Sequence, residues 1–418
     1  MTTLWETAGA LARGVWRKTS AWRRSSQMMP GRIPLNVSIQ DVQAVLERIS
    51  SDDQVHVSTR RSDLDSDAAL ADRKQWLARI SRETSVWNQN NVTRTQAYWN
   101  VYQECPELHW ALLAHMVSRN GGWSMTDLKG EWLPLLLPAE IREAHFELLE
   151  TCNALIFRDA YPQLKIYVES LRGGKPLFRL LPELGVSSFM LPVWERFWAC
   201  RWDSNKRCEE ASVLLTVALI VNEQQVIEEP VVQNPHFRDR ALESTAFRMQ
   251  PLLQTNQLVF PMQSPGGRGN RPPKLAGKVL ERFADLDERI KFGKCLYGML
   301  FGYPVVREQV AAFAMKRPHT GSRADYWPQR YCAAPDRSSG QAECAVGPRW
   351  HSPALAAAWP DRPLPDRLSR DWFPGSNEHD VCSWLTSPKP PLVFDMTYEH
   401  LLGQRKLQAA AQIASDRI

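Results

Sequence analysis

Three polar groupings interrupt apolar stretches of this 418-residue chain, and each concentrates groups that could do chemistry. The first is His109, His115, Arg119 and Asn120, within and just after the apolar run Leu108–Val117. His115 and Arg119 stand at i and i+4 and share a helix face. His109 and His115 are ~240° apart on a helix and cannot chelate one metal by themselves. The plainer role for such histidines is a core imidazole satisfied by a backbone carbonyl, with Arg119 neutralising the end of its own helix. The second grouping is Asn222-Glu223, directly after the apolar run Ala211–Val221. A carboxylate there is costly unless paired, with Arg158 as one candidate, or unless the helix emerges into solvent at Gln224-Gln225. The third is the string His319-Thr-Gly-Ser-Arg323-Ala-Asp325-Tyr326, which holds a general base, an anion-binding group and hydroxyls in one loop. The candidate polar pocket is therefore His115, Arg119, Asn222, Glu223, His319, Arg323 and Asp325. If it is a site, His115, Arg119 and at least one of His319, Arg323 or Asp325 should meet within about 8 Å, the reach of a water-bridged network.

Other patterns fail on their spacing. Gly266-Gly267-Arg268-Gly269 has no Gly-Lys-Ser/Thr at phosphate-loop distance and reads as a linker. Asp63-x-Asp65-x-Asp67 opens like a calcium loop but meets Ala68 and Lys74 where Gly and Glu are needed. Gly185-Val-Ser187-Ser188-Phe189 lacks the second glycine of a nucleophile elbow. Cys332, Cys344, His351, His379 and Cys382 lack the paired Cys spacing of a zinc clip. Neither a metal nor a cofactor is called for.

The elements that must hold these groups read as helices. Pro106 and Glu107 suit a helix start and Arg119-Asn120-Gly121-Gly122 a stop. Further helices are expected over Ala139–Tyr161, Pro162–Leu171, Cys208–Glu229, Leu280–Phe301 and Val306–Lys316. Strand alternation is confined to Gln257–Pro261, and Gln263–Gly277 is expected to be a loop bridging two helical halves. The span 93–327 should be at least about 60% helical, against a base rate near one third, with no sheet beyond a hairpin. Hydrophobic residues at 44% with 17 Trp supply a large core. No apolar run reaches the ~18 residues of a membrane span. No secretory leader is legible, so the eight Cys are expected to be reduced and the protein cytoplasmic.

The net charge of +5 belongs entirely to residues 1–32, where Arg13, Arg17, Lys18, Arg23, Arg24 and Arg32 face the single acid Glu6. The rest is balanced, which gives no strong signal for nucleic acid. On a helical wheel at ~100° per residue, Leu4, Ala8, Leu11, Val15 and Trp22 fall within ~60°. Ala12, Trp5 and Trp16 extend that face; Arg13, Arg17 and Arg24 lie opposite; Lys18 and Arg23 flank it, able to snorkel to phosphates. This is the pattern of an interfacial helix, with Trp5, Arg13, Trp16, Arg17, Lys18, Trp22 and Arg24 as lipid-contact candidates. The competing expectation is that the apolar face packs onto the body.

Five strings carry a family likeness: Thr93-Arg-Thr-Gln-Ala-Tyr98, Asn120-Gly-Gly-Trp-Ser-Met-Thr-Asp-Leu-Lys129, Phe157-Arg-Asp-Ala-Tyr-Pro162, Asn222-Glu-Gln224 and His319-Thr-Gly-Ser-Arg-Ala-Asp-Tyr-Trp327. Over roughly residues 85–330 the chain resembles the YppC-like family of unknown function from Bacillus and its relatives. The resemblance implies a helical fold and a bacterial cytoplasmic setting, and no catalytic residues. The expected fold is all-α, a single multi-helix body. A basic arm (1–34) and a polar helical region (35–90) precede the helical core (91–327). A Pro-rich irregular wrap (328–395) and a C-terminal helix (396–418) follow. Two functions are carried forward: peripheral association with an anionic membrane through the arm, and a small-molecule enzyme with its pocket among the core helices.

Overall fold

The computed structural model describes residues 16–55, 67–201, 205–244, 247, 250, 256–263, 272–334, 349–363, 371–375 and 378–416. It is 68% helical with only short strands, which settles the all-α class. Residues 16–26 form α1; α2 is Ile39–Val55 and α3 Asp67–Trp87. Next come α4 (Asn91–Glu104), α5 (His109–Asp127), α6 (Ala139–Gly173), α7 (Met190–Cys200) and α8 (Asn205–Ile227). After a hairpin follow α9 (Leu286–Gly302), α10 (Pro304–Lys316), α11 (Glu378–Trp384) and α12 (Thr397–Ser415).

Helix α5 is the axis of the fold. Trp110, Ala111, Leu112, Leu113 and Met116 are buried on its successive faces, as its all-round apolar pattern requires. α4, α6, α8, α9 and the first strand all pack against it. Local chemistry sets several ends. The Asn90 side chain accepts from the backbone N–H of Val92 and Thr93 in a capping box that starts α4. Asp285 caps α9, and Pro304 opens α10 where a missing N–H costs nothing. Gly174 closes α6 in the left-handed conformation, φ 66°.

Four sequence expectations are corrected. Asn120-Gly121-Gly122 does not stop α5, which runs on to Asp127, nor does Pro106 begin it. The glycines serve close packing: a Cβ on Gly122 would lie 2.6 Å from both Asn91 Oδ1 and His319 Cε1. Pro162 does not divide α6, a 35-residue helix with Pro162 buried inside it; tertiary packing outweighs the one backbone bond a proline removes. Gln263–Gly277 is not all loop, because Lys274–Val279 (β2) pairs antiparallel with Gln257–Met262 (β1). With its glutamates included, Cys208–Val232 is long and apolar enough by composition to cross a membrane, and 72% of its apolar window is buried within the protein.

The described parts of the Pro-rich region are fastened to the body. The Trp359 indole donates to Met125 O (2.9 Å) and stacks on Phe146 at 4.2 Å. Asp371 accepts from Ser187 Oγ and Ser188 N, and Trp372 donates to Asn222 Oδ1. Residues 394–396 run along the outer side of β2, where Gly277 N donates to Phe394 O and Met396 N to Leu275 O.

Gly122→Ala should lower stability by about 2 kcal/mol, since the polar groups its methyl meets are held in hydrogen bonds and cannot yield. The nearest atom to a Gly121 Cβ is 3.4 Å away, so Gly121→Ala should change stability by less than about 1 kcal/mol. Urea unfolding midpoints of the two variants check the contrast.

Candidate functional site

Two of the three polar groupings meet, and they meet as a closed ring. Arg119 Nε donates to His115 Nε2 (2.9 Å), so His115 carries its proton on Nδ1 and donates it to Thr95 O (2.8 Å). Arg119 Nη1 reaches the Tyr326 hydroxyl at 3.5 Å, and that hydroxyl pairs with His319 Nδ1 at 2.9 Å. His319 Nε2 faces Asn91 Oδ1 (2.9 Å), an acceptor, so the proton sits on Nε2 and Tyr326 donates to Nδ1. Asn91 Nδ2 donates to Ser118 Oγ (3.1 Å), and Ser118 Oγ pairs with Thr95 Oγ1 (2.6 Å), which returns the circuit to α4. His115 and Arg119 thus join His319 through Tyr326.

Arg323 and Asp325 do not join them. Arg323 forks onto Asp127 with contacts of 2.7–2.9 Å among the rings of Trp123, Trp327 and Tyr331. Asp325 accepts from Thr320 N and Oγ1 and shapes its own loop. Arg119 does not neutralise its own helix. Its Nη2 donates to Ala314 O and Arg317 O and its Nη1 to Pro318 O, so it caps the end of α10. His109 lies apart, against the Tyr297 hydroxyl (2.9 Å) and stacked on Phe301 at 4.1 Å.

The Asn222-Glu223 grouping is a separate cluster. Asn222 donates to Asp159, and Glu223 accepts from Trp110 Nε1 (2.9 Å) and Gln224 Nε2 (3.1 Å). The expected partner Arg158 is not used; among the described residues no basic side chain pairs with Glu223. Burial, with no cation to offset it, raises its pKa to about 7.

Tyr326, Asn91, Thr95 and Ser118 were absent from the sequence candidates. Tyr326 stood at the end of the third polar string, while Asn91 and Ser118 carry no local signal beyond their polarity. In the ring each donor faces an acceptor, which makes it a fastening between α4, α5 and the 319–326 loop rather than an open site. Both imidazoles are neutral: burial and Arg119 push His115 down to about 3 and His319 well below its ordinary value.

The arm presents the other candidate surface. Trp5 and Arg13 lie outside the described residues. Along α1, Trp16, Lys18, Thr19, Trp22 and Arg23 are exposed, while Arg17, Ala21 and Arg24 are half-buried and Ser25 is buried. The inward side is the one expected to face solvent or lipid. Arg24 Nε pairs with Asp395 Oδ2 (3.2 Å), whose side chain is fully buried, and Arg17 sits over the Tyr398 ring at 5.4 Å. Ser25 Oγ accepts from Phe394 N and Asp395 N, each at 3.0 Å. The body offers α1 a carboxylate and an aromatic ring, so arginines dock and the tryptophans turn outward. Trp22 is 54% exposed; Trp16 is 63% exposed and makes a T-shaped contact with Tyr398.

The buried histidines set an acid limit on stability. His109 and His400 are also held near pKa 3, by burial first and then by Arg307 and by Arg323 respectively. All four fold with pKa values below the unfolded value near 6.5. The unfolded chain therefore binds protons the folded chain refuses, and their stabilisation, complete above about pH 6.5, is lost as pH falls toward 3. Glu223 works the other way, favouring the fold below pH 4.5 and losing that advantage as pH rises through about 7. The urea midpoint should fall steeply between pH 7 and pH 5, and His109→Phe, which keeps the stack on Phe301, should shallow that slope.

Comparison with known proteins adds a family and no activity. Residues 87–380 match a family described as protein of unknown function (DUF2515), which extends the likeness beyond residue 330 into the Pro-rich region. The chain is 36% identical over 338 residues to the uncharacterized protein YppC of Bacillus subtilis (strain 168), covering 80% of this chain and 94% of that protein. No solved structure matches it. With most of its length accounted for in this way, the chain belongs to the DUF2515 family of proteins of unknown function.

Proposed function

We propose that this protein associates peripherally with anionic membrane surfaces through α1. The observation that carries the reading is the orientation of that helix: its arginine side is consumed by Asp395 and Tyr398, and Trp22 faces outward between exposed Lys18 and Arg23. An indole flanked by long basic side chains suits the headgroup boundary, where the ring enters the interface and the cations reach phosphates. Because α1 is clamped to the body, little ordering is required of it on contact. The apolar band expected to pack onto the body is, over the described residues, the band that faces away.

The enzyme reading keeps one support, the Glu223 carboxyl with its pKa near 7, a value suited to proton transfer. It loses the convergent set it was built on, because His115, Arg119 and His319 spend their hydrogen-bonding capacity on one another and on backbone.

Each basic side chain near an anionic surface contributes about 1 kcal/mol, so Lys18→Gln with Arg23→Gln should weaken partitioning by about 2 kcal/mol, or ~30-fold. Co-sedimentation with phosphatidylglycerol vesicles should show that loss, a further loss on Trp16→Ala with Trp22→Ala, and weakening by salt. Equal partitioning of variant and native protein, or indifference to lipid charge, would end the proposal.

A further inference from the structure

Ten large apolar side chains are markedly exposed among the described residues, and six of them fall in two stretches: Trp16, Trp22, Ile33 and Ile39, and then Leu392 and Val393. The other four are dispersed on α3, the turn Leu133–Leu136, α10 and α12. The two stretches are remote in sequence and adjacent in space. Phe394 and Asp395 donate their backbone N–H groups to Ser25 Oγ. Ile33 N donates to Gly302 O, and Pro390 packs on the same glycine, its Cγ 3.6 Å from where a Gly302 Cβ would stand. Val37 N donates to Ser387 Oγ (2.9 Å), closing the far end.

The loop is stiff and aimed. Pro388, Pro390 and Pro391 fix three φ angles in four residues. The Tyr303 hydroxyl donates to Pro391 O at 3.0 Å, and Phe394, fully buried, stacks on the Tyr303 ring at 4.8 Å. Anchored on both sides, the loop leaves Leu392 63% and Val393 49% exposed. Its charge matches that of the arm. Residues 16–39 contain five basic residues and no acid, and residues 386–393 contain Lys389 and no acid. The first acid after each stretch is turned inward, Asp41 onto Arg196 and Asp395 onto Arg24.

We infer that Leu392 and Val393 form a second membrane-inserting element, which with α1 makes a two-point, basic contact for an anionic bilayer. The inference rests on the reading of α1 as the lipid-facing helix. It adds that the C-terminal wrap supplies the apolar insertion, while Lys18, Arg23, Arg32 and Lys389 hold phosphates around it. Exposed apolar side chains on two touching stretches that carry cations and no acid fit lipid, since a protein partner of matching chemistry would have to place acids around an apolar socket.

The test is co-sedimentation of the full chain with phosphatidylglycerol vesicles and with phosphatidylcholine vesicles, comparing native protein, Leu392→Ser with Val393→Ser, and Lys18→Gln with Arg23→Gln. Both side chains of the loop pair are exposed, so that variant should melt with the native protein, and Leu392→Met should partition as native. The expected result is a loss of roughly tenfold for the serine pair, persisting at high salt where charge attraction is screened. Native-like partitioning of the serine pair alongside weakened partitioning of the α1 variant would overturn this inference and leave the α1 reading standing. Failure of the native protein to partition would overturn both. A native dimer in sedimentation velocity that the serine pair dissolves would reassign the patch to self-association and overturn the lipid role.

Discussion

A buried helix that carries polar side chains must find each of them a partner, and in this protein that requirement on α5 dictates the arrangement of its neighbours. Removing an amide or guanidinium from water without compensation costs several kcal/mol. Asn120 avoids the cost by pairing with a strand as another strand would: Nδ2 donates to Val259 O at 2.8 Å and Val259 N donates to Oδ1 at 2.9 Å. Its second amide hydrogen goes to Met116 O. Arg119 places its guanidinium on the carbonyls that end α10, and His115 spans from Arg119 to α4. One turn of α5 thereby fixes the hairpin, α10 and α4 together.

From that turn a chain of contacts reaches the surface in short steps. Asn120 sets β1, β1 pairs with β2, and residues 394–396 lie along the outer side of β2. Ser25 and Arg24 of α1 then dock onto residues 394 and 395. Gly277 permits the closest step, since a Cβ there would stand 2.4 Å from Leu258 O. The outward aim of Trp22 is therefore tied to the core through a chain of side-chain and backbone hydrogen bonds. Buried charges follow the same logic. Arg323 with Asp127 and Arg289 with Glu228 are paired, whereas Glu223 meets no cation among the described residues and holds its proton more tightly.

Read from the chain alone, the helical class was legible because apolar residues recur at helical spacing over long spans, and that periodicity is a local property. The strand at Gln257 was visible for the same reason. Helix ends inside the core were not legible. Asn120-Gly121-Gly122 has the composition of a stop, and Pro162 that of a break; both were overridden by partners hundreds of residues away or on other helices. Glycine as punctuation and glycine as clearance for His319 look alike in a sequence.

The sequence by itself determined which groups could do chemistry, the basic character of the arm with Glu6 as its single acid, and the placement of Trp22 away from Arg17 and Arg24 on one helix. It could not determine which side of that helix would face the protein. That was decided by Asp395 and Tyr398, which lie more than three hundred residues further along and become neighbours only when the C-terminal wrap returns along β2. Tertiary structure likewise decided that His115, Arg119 and His319 would close on one another through Tyr326, because hydrogen-bond saturation depends on distances that no local pattern encodes.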